Sequence, residues 1–166
     1  MKYTKLFQQI EHHEGRRYEP YKCSRGYWTI GVGRNLDTTG LSKQESIEIF
    51  GEIVPKSEYV SRLKAKPLND NQIDMLLRED VSTAEDGCYS LVMMGVLNDA
   101  RKAVLINMAF QMGINGLSKF TNTLVYISLE QYEQASEEML DSKWHREDSP
   151  TRALEMSEQM KTGEWQ

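Results

Sequence analysis

The chain has 166 residues, 39% apolar and 27% charged, which suits one compact globular unit, with room for two lobes. No apolar run approaches the roughly 18 residues of a membrane span, and two cysteines, Cys23 and Cys88, offer neither metal spacing nor a disulfide framework, as in a protein made in a reducing cytosol. The net charge of −5 is uneven, because residues 1–66 hold 12 Lys/Arg and 8 Asp/Glu and residues 67–166 hold 8 and 17, a balance that argues against a nucleic-acid binder.

A mildly basic N-terminal part is compatible with a polyanionic substrate, although plain surface charge explains it equally well. The N-terminal stretch MKYTKLFQQIEHHEG has no apolar core and no small-residue cleavage site, so no export signal is expected. Tyr3, Leu6, Phe7 and Ile10 recur at helical spacing and predict an amphipathic helix over residues 3–13. Glu14 falls at its end, with Gly15 as the stop. Residues 18–33 change to an alternating period, with Ser24-Arg25-Gly26 as the turn of a β-hairpin. A third short strand is expected over Arg34–Asp37. Ser42 and Glu45 form a capping box for a helix up to Gly51. Pro55 and Pro67 bracket a polar, basic segment, and residues 51–66 carry no clear pattern.

Asn69 caps a long helix, with Ile73, Leu76, Leu77, Val81 and Ala84 on one face, running to about Ser90. Residues 99–112 read as a buried helix. Shorter helices follow, punctuated by Gly113, Gly116, Ser128, Ser142 and Pro150. Ser149-Pro150 looks like an N-cap and first-turn pair, and Gly163 like a stop.

The chemistry concentrates at Glu14, Cys23 and Thr29, with eight residues between the first two and five between the second two. A carboxyl at a helix end, followed by a tight hairpin carrying a thiol and a hydroxyl, can face an acid toward a water. The stretch Glu14–Gly33, EGRRYEPYKCSRGYWTIGVG, resembles the catalytic signature of the phage-type lysozymes, glycoside hydrolase family 24, in its T-even phage branch. Two further blocks agree in order: Arg101–Leu124, and a C-terminal series with Ser142-Lys143-Trp144, Pro150, Arg152-Ala153 and Lys161 to Trp165.

The resemblance implies an α+β, two-lobed lysozyme-like fold forming one catalytic domain. A small β-hairpin lobe is expected over residues 13–68. A long helix joins it to a larger all-helical lobe over 69–166, against which helix 1–12 packs, and the saccharide lies in the cleft between lobes. The implied reaction is hydrolysis of the β-1,4 bond between N-acetylmuramic acid and N-acetylglucosamine of peptidoglycan. Glu14 matches the general acid. Cys23 falls where many relatives have aspartate and others cysteine, and Thr29 matches the hydroxyl that helps hold the attacking water. Family members of this type invert the anomeric centre, with room for water between the catalytic groups. Lys22, Arg25 and Arg16 are near enough in sequence to acidify the Cys23 thiol.

Leu36 (or Asn35), Phe110, Gln111 and Thr123 match substrate-contact positions, and Arg152 an arginine that pairs with the catalytic glutamate. Arg34 stands where close relatives have a histidine paired with an aspartate on the long helix, and Asp80 matches that aspartate, so an Arg34–Asp80 pair is expected. Glu138 replaces an amide at a sugar-contact position and is left out of the site. No metal or cofactor is implied. The implied partner is bacterial peptidoglycan, for a monomeric endolysin held in the host cytoplasm and released to the periplasm through a holin-made hole. Two other readings stay open: a lytic transglycosylase cutting the same bond, and a non-catalytic peptidoglycan-binding domain.

Overall fold

The computed structural model describes Met1 and residues 3–166; Lys2, within the expected N-terminal helical segment, lies outside the described residues. The chain forms two compact units. One comprises Phe7–Asp80, the other Met1–Leu6 with Val81–Gln166. Together they give the two-lobed α+β architecture expected, a small three-stranded sheet in one unit and helices throughout the other.

Helix α1 spans Tyr3–Glu14, with Leu6 and Ile10 fully buried. The sheet-bearing unit continues with β1 (Arg17–Lys22), β2 (Trp28–Gly31) and β3 (Arg34–Asn35), antiparallel in the order β1-β2-β3. β3 is shorter than the sequence suggested because the Asn35 side chain accepts the Asp37 and Thr38 N–H groups, at 2.9 Å each, and turns the chain away. Helix α2 (Lys43–Phe50) has the full capping box. The Ser42 Oγ accepts the Glu45 N–H, Glu45 Oε2 accepts the Ser42 N–H, and Gly51 closes the helix with φ 79°.

The unassigned stretch 51–66 contains a 3-10 turn (Lys56–Glu58) and helix α3 (Tyr59–Ala65). Only Tyr59 and Leu63 of α3 are buried. One pair of anchors on a polar helix leaves too thin a periodic signal to read. Helix α4 (Asp70–Tyr89) starts where expected: Asn69 Oδ1 accepts the Gln72 N–H, and Gln72 Oε1 accepts the Asn69 N–H. The helix begins in the sheet-bearing unit and ends in the helical one.

The helical unit adds α5 (Asp99–Ser118), α6 (Thr121–Ser128), α7 (Tyr132–Leu140) and α8 (Pro150–Thr162), with a single π-type turn over Trp144–Asp148. Its core is built on α5, where Ala103 through Ala109 are all buried. Gly113 interrupts α5 with φ 74° and ψ 165°, as its glycine suggested, but Gly116 does not break the helix. A Cβ at Gly116 would lie 2.9 Å from the Met112 side chain, so that glycine serves packing. Ser149 does not cap α8 through its side chain; its Oγ instead accepts the Gln111 Nε2–H at 2.7 Å. Gly163 does stop α8, with φ 71° and its N–H donating to Gln159 O.

Candidate active site

Glu14 is the last residue of α1. Gly15, at φ 77°, turns the chain out of the helix while its N–H donates to Glu11 O at 2.8 Å. The carboxyl then rests on the turn between β2 and β3. Gly33 there has φ 73°, and a Cβ added to it would lie 3.0 Å from Glu14 Oε2 and 3.2 Å from Glu14 Cδ. Glycine at 33 is thus required twice, by the left-handed backbone and by the carboxyl above it.

Strand register sorts the hairpin residues. Tyr21 pairs with Thr29 and Lys22 with Trp28. Paired residues share a face and neighbours alternate, so Tyr21, Cys23 and Thr29 lie on one face and Lys22 and Trp28 on the other. Thr29 is buried and its Oγ1 donates to Tyr27 O at 3.1 Å. Cys23 is partly exposed at the hairpin end, where its N–H donates to Tyr27 O and its carbonyl accepts the Gly26 N–H, each at 2.9 Å.

Burial pushes the Cys23 thiol up, but the hydrogen-bonding surroundings supplied by the backbone of Arg25 and Tyr27 and by the Thr29 side chain outweigh it and bring the thiol below its ordinary value. The expected acidifying cations are otherwise engaged. The Lys22 ammonium lies 5.2 Å from the centre of the Trp28 ring. Arg16 pairs with Asp70 at 2.9 Å and Asp74 at 3.0 Å. Arg25 contributes through its backbone. Hydrogen bonding, not net charge, sets this thiol's acidity.

Tyr21, which the sequence did not single out, belongs with this group. Burial pushes its phenol up, the charge of Glu14 pushes it further, and Arg17, 5.0 Å above its ring, opposes both. It therefore keeps its proton. Strand alternation, which puts residue 21 on the face of residues 23 and 29, was the available signal.

Behind the sheet, Arg34 is 4% exposed and holds two carboxylates. Its Nε donates to Asp80 Oδ2 at 2.9 Å, while Nη1 and Nη2 donate to Glu45 Oε2 and Oε1 at 2.8 and 3.0 Å. The carbonyls of Gly40 and Leu76 accept from the same fork. The expected Arg34–Asp80 pair is present, and Glu45 is a second partner. Burial pushes the Glu45 carboxyl up, but Arg34 and the Ser42 N–H outweigh it and hold Glu45 below the usual carboxylate range. For Asp80 burial dominates and pushes the carboxyl up despite Arg34. The guanidinium joins β3, α2 and α4 under the hairpin.

Within the sheet-bearing unit the structure thus gathers Glu14, Tyr21, Cys23, Thr29 and Gly33. Leu36 is in the same unit but only 1% exposed, with its N–H donating to Trp28 O at 2.8 Å. Phe110, Gln111, Thr123 and Arg152 belong to the helical unit. Phe110 is half-buried. The Gln111 amide is held on both sides, its Oε1 accepting the Trp144 Nε1–H at 2.8 Å and its Nε2 donating to Ser149. Thr123 is 1% exposed, and the buried Arg152 donates from Nε to Asn107 Oδ1 at 2.7 Å.

Comparison with known proteins decides the family. The phage lysozyme family model matches residues 11–156. The chain belongs to the phage lysozyme family. This phage lysozyme is 28% identical over 164 residues to "Probable T4-type lysozyme 2" of Dictyostelium discoideum, covering 96% of this chain and 95% of that protein. It is 27% identical over 158 residues to "Probable T4-type lysozyme 1" of the same organism, covering 93% and 92%. It is also 27% identical over 148 residues to the "Pre-baseplate central spike protein Gp5" of Enterobacteria phage T4, covering 86% of this chain but 25% of the spike protein. The protein is accordingly a glycoside hydrolase, a lysozyme-type muramidase whose substrate is peptidoglycan. Among the described residues, no helix is long and apolar enough to cross a membrane.

Proposed function

We propose that this phage lysozyme hydrolyses the N-acetylmuramic acid to N-acetylglucosamine β-1,4 bond with Glu14 as general acid and Cys23 and Thr29 holding the water. Glu14 delivers its proton to the leaving oxygen as the C1–O bond breaks. Water adds to C1 from the other side of the ring and yields its proton to Cys23 acting as the thiolate, so the anomeric centre inverts. Tyr21 stays protonated. Thr29 orients both the thiol and the water. Arg34 and Asp80 hold the hairpin. Phe110, Gln111, Thr123, Leu36 and Arg152 keep the contact and support roles carried over from the family pattern.

The observation that carries this reading is the Glu14 carboxyl seated on Gly33, in a hairpin whose one face presents Tyr21, Cys23 and Thr29. Mass spectrometry of digested sacculi tests the reaction. Hydrolysis leaves reducing N-acetylmuramic ends; 1,6-anhydro ends would make the enzyme a transglycosylase, a reading kept alive by the thiol at 23 in place of a carboxylate. The biological role we assign is host lysis after release through a holin-made hole. Expression in a Gram-negative cytoplasm should leave cells intact until the inner membrane is opened with chloroform; lysis without that step overturns the release route.

A further inference from the structure

The face of the hairpin turned away from Cys23 and Thr29 carries a second feature. Trp28 is half-exposed there, and two lysine ammoniums lie over its ring: Lys22 at 5.2 Å and Lys64, from α3, at 4.9 Å from the centroid. Both lysines are exposed, and among the described residues neither has a carboxylate within 4 Å. Two charges about 5 Å from one centroid are at most about 10 Å apart, about one Debye length at 0.1 M salt. Like charges held this close repel. The indole face attracts each of them without neutralising either. Arg25, in the turn of the same hairpin, adds a third exposed cation. The cluster is an aromatic shelf with an open demand for anionic groups.

We propose that Lys22, Trp28 and Lys64 form an accessory contact for the peptide-stem carboxylates of the peptidoglycan mesh. The inference rests on the substrate assignment above. Stem peptides carry free carboxylates at their α-positions and on acidic side chains, spaced by a few ångströms along an extended chain. Two ammoniums no more than about 10 Å apart can each meet one such carboxylate, with the indole left to cover aliphatic parts of the stem residues. Because the cluster occupies the face opposite the reacting groups, it engages stems of the surrounding mesh and not the scissile sugar. Its binding is the same before and during reaction, so it lowers KM and leaves kcat unchanged.

Sacculi whose carboxylates are capped with carbodiimide and ethanolamine separate this contact from the catalytic assignment. On native sacculi the K22Q/K64Q double variant should show KM raised about 3- to 10-fold with kcat unchanged. The charge-keeping K22R/K64R variant should behave as wild type, which controls for folding. Pelleting in a Glu14→Gln background should show the same loss of affinity for native sacculi and none for capped ones. Equal KM for wild type and K22Q/K64Q on native sacculi overturns the contact. So does a loss that persists on capped sacculi, which would indicate a structural role or another polyanion. Failure of wild type to cut native sacculi strikes the catalytic assignment, while the pelleting comparison still reads the contact.

Discussion

Cys23 and Cys88 differ in each property that governs thiol chemistry. Cys23 is partly exposed and its thiol is held below the ordinary value by hydrogen bonds. Cys88 is fully buried in α4, and burial pushes its thiol up to about 12. Iodoacetamide at neutral pH should therefore modify Cys23 at least ~10-fold faster than Cys88, read by peptide mass spectrometry. The catalytic assignment requires more. Cys23→Ser should lose most activity and Cys23→Asp retain it, whereas full activity in Cys23→Ala would remove the thiol from the mechanism. Gly33 gives a sharper residue-scale contrast. Gly33→Ala adds strain at φ 73° of about 1–2 kcal/mol and drives a methyl against the Glu14 carboxyl, so both stability and kcat should fall. Gly26→Ala meets a similar φ of 83° with nothing within 4 Å; it should cost stability and spare kcat.

Among the elements, the hairpin owes its position to Arg34. Removing the guanidinium as Arg34→Met leaves Glu45 and Asp80 without their cation, and breaking a buried pair in this way costs about 3–5 kcal/mol, measurable by urea denaturation. The pH dependence follows from Glu45. Its folded carboxyl lies below its unfolded value, so its stabilisation is complete above the unfolded value and disappears as pH falls through the folded one. Asp80, pushed up by burial, has the opposite sign and offsets part of that acid loss. Arg34→His should add a transition near neutral pH. A histidine held charged by two carboxylates stabilises below its unfolded value of about 6.5 and loses that stabilisation as pH rises through its raised folded value. A flat stability profile between pH 5 and 8 in Arg34→His would contradict the pairing.

Across the whole molecule, local rules made much of the fold legible. Helix α1, the hairpin, the α2 capping box, the Asn69 cap and the Gly163 stop each follow from a few neighbouring side chains. Helix α3 was hidden because two buried residues make no periodicity, and Ser149 and Pro150 take the N-cap and first-turn positions read from the sequence, although the Ser149 hydroxyl accepts from Gln111, distant in sequence, in place of a helix N–H. Glu45 read as a capping residue, and its second role beneath Arg34 depends on tertiary packing that sequence spacing does not encode. The candidate site shows the same division. Glu14, Cys23 and Thr29 were legible through the resemblance to the family signature, whereas Gly33 and Tyr21 emerged only from contact and strand register. The central claim is that Glu14 supplies the proton for glycosidic cleavage. Clearing of outer-membrane-permeabilised Gram-negative cells by wild type and Glu14→Gln measures it directly. Wild type should clear the suspension, and Glu14→Gln should be slower by about 100-fold or more while still pelleting with sacculi. Clearing by Glu14→Gln at the wild-type rate would contradict the account.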